Sequence, residues 1–180
     1  MLDPSRLWDR EVRPFLSQDV RAQIAAEPWQ VEAYFGLRAQ IFAEEQGLFS
    51  GSDRDSLDSC ASPIVALSHA FGMPDEVVGV VRIYEAEGGA WYGGRLGVCP
   101  RYRRRGAVGS ALITCAVSSA HAFGATRFFA QVQGQNVRYF ERHAFRALRP
   151  LELLGRAHWL MEADLSAYPA SLSPVTSKAA

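Results

Sequence analysis

The run Leu96-Gly97-Val98-Cys99-Pro100-Arg101-Tyr102-Arg103-Arg104-Arg105-Gly106-Ala107-Val108-Gly109-Ser110-Ala111-Leu112 carries the groups best suited to hold an anion. It reads as an apolar strand end, a proline stop, a basic loop with small residues, and then a helix. Gly106 and Gly109 have no side chain to keep a ligand off the backbone. The helix after the loop would turn its first free N–H groups, and the positive end of its dipole, toward that ligand. Arg103, Arg104 and Arg105 stand before the turn. This arrangement suits a phosphate ester, and a pyrophosphate in particular. A charge run taken alone is usually a solvated face; the strand before it and the helix after it raise the signal. A P-loop in its usual form is excluded, because no lysine follows Gly109 and the spacing is short.

Other charged residues have two readings each. Val31, Tyr34, Phe35, Ile41 and Phe42 fall on one helical face. Arg38 and Glu45 lie on that same face, two turns apart with Phe42 between them. Either both side chains snorkel to water at a helix end, or they form a cleft wall that presents charge to a substrate. Cys60, Cys99 and Cys115 are odd in number and widely spaced, which reads as reduced thiols in a cytoplasmic protein. His69, His121, His143 and His158 show no ligand spacing, so no metal is expected.

The elements that must position these residues can be read from composition and order. A chain of 180 residues is one domain by default. Its 19 basic residues balance 19 acidic ones, whereas a nucleic-acid binder would usually be more basic. No apolar run approaches the roughly 18 residues of a membrane span, so neither nucleic acid nor membrane is expected as a partner. Residues 1–19 read as an N-terminal arm. Val20 to Ala25 alternates as a half-buried strand, and Pro28 opens a helix at a position that tolerates it. Residues 50–62 are small and polar, a loop or short helix with some mobility. Three antiparallel strands come next, at 63–70, 76–84 and 90–98, and lead into the basic loop. Val108, Leu112, Cys115, Ser119 and Ala122 trace the next helix. Thr126 to Val132 is then a strand parallel to the one before that helix. Asn136 can cap a short helix over 137–143, and 145–153 with 158–164 close the sheet. Residues 165–180 read as a flexible tail or linker.

Taken together, these residues carry a resemblance. The run from Arg95 to Leu112, Asn136, and Tyr139-Phe140-Glu141-Arg142-His143-Ala144-Phe145 resemble the GNAT superfamily of acetyl-CoA-dependent N-acetyltransferases. Leu37 to Gln46 is similar to the R-x-x-V-F-x-x-E-Q helix of several members. The likeness spans about residues 20–164. Within the family it looks closest to a bacterial subgroup associated with nitrogen starvation and nitrilase gene clusters, which implies a place in nitrogen metabolism. The implied fold is α/β (α+β). It has a mixed central sheet of about six to seven strands, splayed near the fourth and fifth, flanked by about four helices.

The resemblance also implies roles. Main-chain groups of Leu96, Gly97 and Val98 would pair with the pantetheine arm of acetyl-CoA. Arg103, Arg104, Arg105, Gly106, Ala107, Val108, Gly109 and Ser110 would bind its pyrophosphate, Asn136 would contact the pantetheine at the start of the helix near the thioester, and Phe140 would also lie at the cofactor. The loop departs from the family's R-x-x-G-x-[G/A] pattern. Starting at Arg103 puts Val108 at the last small position; starting at Arg104 puts Ala107 at the first glycine, and the second alignment is favoured. Phe140 stands where the family often has a tyrosine that protonates the leaving thiolate. Tyr139 is adjacent but about 100° away on a helix. Catalytic candidates are therefore Glu85, Glu45 and Tyr139, with His69 a further base candidate; Arg38 and Glu45 are candidates for binding substrate.

Three functions are compatible with these readings. The first is transfer of acetyl from acetyl-CoA to a primary amine of a small molecule. The second is transfer of a longer acyl group, as in the similarly folded acyl-homoserine-lactone synthases. The third is a CoA-binding sensor or subunit without turnover. Exposed strand edges would allow a homodimer.

Overall fold

The computed structural model describes residues 16–177, the side chains of Arg104 and Arg105 excepted. The expected N-terminal arm lies outside the described residues up to residue 15. The described end of that arm is packed: the Ser17 hydroxyl donates to the His69 carbonyl at 2.6 Å.

The chain forms β1 (Val20–Ile24), α1 (Pro28–Arg38), β2 (Ser62–Ala70), β3 (Met73–Glu85) and β4 (Ala90–Val98). Then come α2 (Ala107–Ala122), β5 (Arg127–Gln133), α3 (Val137–Glu141), β6 (Phe145–Leu153), β7 (Arg156–Ala163) and β8 (Val175–Thr176). One sheet runs in the order β6-β7-β5-β4-β3-β2-β1-β8. The fold is α+β, mixed, with eight strands and three α-helices among the described residues. Both numbers differ from expectation. The extra strand comes from the segment read as a tail: β8 pairs with β1 at the sheet edge, and Tyr168 is buried with its hydroxyl donating to the His143 carbonyl. The 50–62 segment, read as a loop or short helix, makes a 3-10 turn over Ser56–Ser59.

The β-branched runs of β2 and β3 are buried on both faces, as central strands covered by helices must be. α2 crosses one face so closely that a Cβ on Gly79 would meet Leu112 Cδ1 at 2.8 Å. Its buried residues run almost all round the helix, which explains why it lacks a polar stripe. On the other face α1 continues into a π-helical segment, Ala39–Glu45. A Cβ on Gly97 would meet Ile41 Cδ1 there at 2.9 Å. No helix among the described residues is long and apolar enough to cross a membrane.

Arg38 is the clearest departure from expectation. It is 0% exposed and faces neither water nor a cleft. Its guanidinium binds Asp53 at 2.8 Å and Asp58 at 2.6 Å. Arg82 binds Asp55 at 2.7 Å and Asp58 at 2.9 Å, and Arg95 reaches Asp53 and Asp55. Three arginines from α1, β3 and β4 thus pin one polar loop to the sheet. This explains why a segment with loop composition is held in place. Burial disfavours the charged form of Asp58, but hydrogen bonds from Arg38, the Asp55 amide and Arg82 outweigh it and hold the carboxyl well below the usual range.

Breaking this network leaves buried aspartates uncompensated, so Arg38→Ala should cost about 3–5 kcal/mol in urea unfolding. The sign of the pH effect comes from the lowered Asp58 pKa. Its contribution is present above the ordinary carboxylate range and is lost as pH falls through the lowered value. Asp58→Asn should therefore flatten the acid limb of a stability-versus-pH curve; an unchanged limb would remove Asp58 from the network's energetics.

Candidate functional site

The site begins where two strands part. β4 and β5 pair in parallel only over Ala90–Gly93 with Arg127–Ala130. On its other edge β4 pairs Gly94 with Arg82, then Gly97 with Val80, so the register slips between them. Arg95, inside the slip, has φ +56°. This is a β-bulge, and a bulge bends and twists the strand that carries it. Beyond it, Leu96, Gly97 and Val98 have no strand partner on the β5 side.

A cavity of about 550 Å³ fills the opening. Phe42, Phe49, Tyr84, Tyr92 and Arg95 lie toward the α1 face; Val117, Phe128, Phe140 and Phe145 lie toward α2. Phe140 and Phe145 meet edge to face at 5.1 Å. Asn136 is exposed at the cavity, one residue before α3, and makes no capping hydrogen bond.

The basic loop ends β4. Pro100–Arg105 forms a 3-10 turn, Gly106 takes the left-handed conformation at φ +59°, and α2 starts at Ala107 without a capping side chain. That conformation needs glycine. The leading N–H groups of α2 are left without the usual side-chain cap. Gly109 has a packing role: a Cβ there would meet the Tyr139 hydroxyl at 2.7 Å. Val108 is buried, and the Ser110 amide donates to the Gly106 carbonyl.

The expected catalytic residues separate. Tyr139 does not line the cavity; its hydroxyl donates to the Gly106 carbonyl at 3.1 Å. The 100° offset from Phe140 aims it at the loop, where it ties α3 to the start of α2. Glu85 is paired across from Trp91, at the end of β4 that still holds β5, and it does not line the cavity. His69 is buried near the β2–β3 hairpin, opposite Pro74. Glu45 does line the cavity. Arg103 grips its carboxylate with both terminal nitrogens, one at 2.7 Å, while its Nε donates to the Val98 carbonyl at 2.8 Å. The Arg103 guanidinium holds the Glu45 carboxyl below its usual range.

Several lining residues were given no site role from sequence: Tyr84, Tyr92, Arg95, Gln131, Gln133 and His158. A signal for some of them existed. Tyr84 and Tyr92 face each other across two antiparallel strands, beside Gly93-Gly94, and their rings stack at 5.7 Å.

A family model described as "Acetyltransferase (GNAT) family" matches residues 25–145. Among solved structures, a candidate N-acetyltransferase from Lactobacillus plantarum is similar at TM-score 0.70 and 22% identity, over 81% of this chain and 98% of that one. ElaA from Escherichia coli is similar at TM-score 0.66 and 19% identity, over 81% and 98%. An acyl-CoA N-acyltransferase from Pseudomonas aeruginosa is similar at TM-score 0.63 and 18% identity, over 81% and 99%. At these identities the structures establish the fold. No curated protein sequence matches the chain.

The Arg103–Glu45 pair can be tested by titration. Carbon-detected NMR should place the Glu45 carboxyl below the usual glutamate pKa, and Arg103→Ala should raise it. An unmoved Glu45 pKa would mean that the pair does not persist in solution.

Proposed function

Because the chain belongs to the acetyltransferase (GNAT) family, we propose that it moves an acetyl group from acetyl-CoA directly to a primary amine of a small molecule. The parting of β4 and β5 beside an uncapped helix start carries this reading. The family implies an acyl-CoA co-substrate, and the residues present fit one. Leu96, Gly97 and Val98 offer a pantetheine arm a strand edge without a strand partner, on which Arg103 occupies the Val98 carbonyl. The glycine turn and the first turn of α2 offer backbone donors to a pyrophosphate. Arg104 and Arg105 add positive charge beside Arg103, whose own charge is paired with Glu45, and Asn136 lines the cavity.

An acyl-CoA supplies an activated thioester carbonyl for an amine to attack. The protein must polarise that carbonyl and accept the amine's proton. Backbone N–H groups of β4 past the bulge do the first. For the second, Glu45 is the one carboxylate among the described residues that line the cavity. Arg103 keeps it ionised and therefore weakly basic, so we assign it to holding a water that relays the proton. Phe140 has no hydroxyl to protonate the thiolate. Tyr139 is engaged at Gly106, and we assign it to positioning the loop.

Phe128, Phe140 and Phe145 wall the α2 side of the cavity with packed rings, which supports acetyl over a longer acyl group. A CoA-binding role without turnover is the second reading, and Phe140 is the observation that favours it. The narrower likeness to the nitrogen-starvation subgroup, and with it a role in nitrogen metabolism, rests on sequence resemblance alone.

Thiol release from acetyl-CoA with a panel of amines, beside calorimetric titration with acetyl-CoA, decides between these readings. Binding with amine-dependent thiol release supports transfer; binding without it supports the second reading; no binding overturns both. Tyr139→Phe should raise the KM for acetyl-CoA about fivefold, for the loss of one hydrogen bond of about 1 kcal/mol, with kcat unchanged. A fall in kcat would return Tyr139 to the chemistry.

A further inference from the structure

The β6–β7 hairpin turns through Leu154 and Gly155, both left-handed at φ +51° and +67°. Two-residue turns of this kind favour Asn or Asp at the first position. A bulky side chain at positive φ is an outlier, because its Cβ crowds the backbone. Position 154 nevertheless holds leucine, and that leucine is 63% exposed. Strained backbone positions cluster at functional sites, and exposed apolar side chains mark a binding surface where they adjoin one another. Here both coincide at the mouth of the cavity, which Leu154 lines.

The opposite lip is also apolar. Leu48 and Phe49, just after the π-helical segment, line it. The two lips touch: the Arg156 guanidinium donates to the Gln46 carbonyl at 3.3 Å. Tyr84, Tyr92 and Phe49 also line the cavity; the two tyrosines stack on each other, and the Arg95 guanidinium lies 4.4 Å over the Phe49 ring. The charges point the same way. Arg82, Arg95, Arg103 and Arg156 line the cavity with Glu45 as the matching carboxylate, and Arg103 already holds it. Arg82 and Arg95 are likewise paired with Asp53, Asp55 and Asp58, so a polycation would find no free carboxylate among the described lining residues.

Resting on the transfer reading above, we infer that the acceptor is a monoamine on an apolar or aromatic body, seated against Leu154, Phe49 and the tyrosine pair. Polyamines, whose further ammonium groups find no free carboxylate among the described lining residues, are the poorer acceptors.

The test uses the full chain with acetyl-CoA and compares 2-phenylethylamine and hexylamine with spermidine and lysine. The kcat/KM for 2-phenylethylamine should exceed that for spermidine by tenfold or more, on the scale of about 10–200-fold that apolar pocket contacts supply. Leu154→Asn keeps a residue that tolerates the turn. It should raise the KM for 2-phenylethylamine about fivefold, the scale of one lost apolar contact, and leave the KM for acetyl-CoA unchanged. Equal or better use of spermidine, or an unchanged amine KM in Leu154→Asn, would overturn the inference. Calorimetry with acetyl-CoA separates the two levels. Loss of that binding brings down the transfer reading and the inference with it, whereas binding without preference for an apolar amine overturns the inference alone.

Discussion

Two parallel strands that stop exchanging hydrogen bonds part-way along leave backbone N–H and C=O groups that must be satisfied by something else. That constraint organises this protein. β4 holds β5 through Gly93, and the bulge at Arg95 then carries it away. The residues around the gap either compensate for it or exploit it. Arg103 returns from the loop to take the Val98 carbonyl. Aromatic rings from β5, α3 and β6 line one side of the space. The remaining strand edge and the uncapped start of α2 both offer polar backbone, as the proposed extended, phosphorylated ligand would require.

Holding such a gap open needs stiffness on both sides. Toward α1 it comes from charge: Arg38, Arg82 and Arg95 share Asp53, Asp55 and Asp58. A lone buried charge is costly, and a set of mutual partners offsets that cost and fixes geometry. One member, Arg95, belongs to the bulge itself, so the same network that fastens the loop also braces the strand where it turns aside. Toward α2 the stiffness comes from close packing, with Gly79 under Leu112 and Gly109 under Tyr139. Tyr139 thereby links α3, whose Phe140 lines the cavity, to the loop expected to hold phosphate.

Much of this was legible in sequence, for identifiable reasons. Local signals placed the elements: β4 runs over the expected 90–98, and α2 starts directly after Gly106. The GNAT likeness rested on short-range spacing, and the family match agrees with it. Long-range pairing was not legible. Arg38 looked like half of a charged cleft wall because its partners lie 15 and 20 residues away in a segment of loop composition. The Asp53, Asp55 and Asp58 spacing was the signal for them, and only the fold shows that it answers three arginines. The last strand hid in small Ser- and Pro-rich residues, where Tyr168 supplies the anchor. The identities of Phe140 and Tyr139 showed that something in the family chemistry had changed; the direction of the Tyr139 hydroxyl needed the structure.

The central claim is that the opened edge of β4 and the start of α2 bind one ligand together. Hydrogen–deuterium exchange of the full chain, with and without acetyl-CoA, tests it most directly. Slowed exchange in Leu96–Val98 and Gly106–Ser110, with Glu85 and its neighbours unaffected, is the predicted result. Protection confined to one of the two segments, or to neither, would contradict the claim.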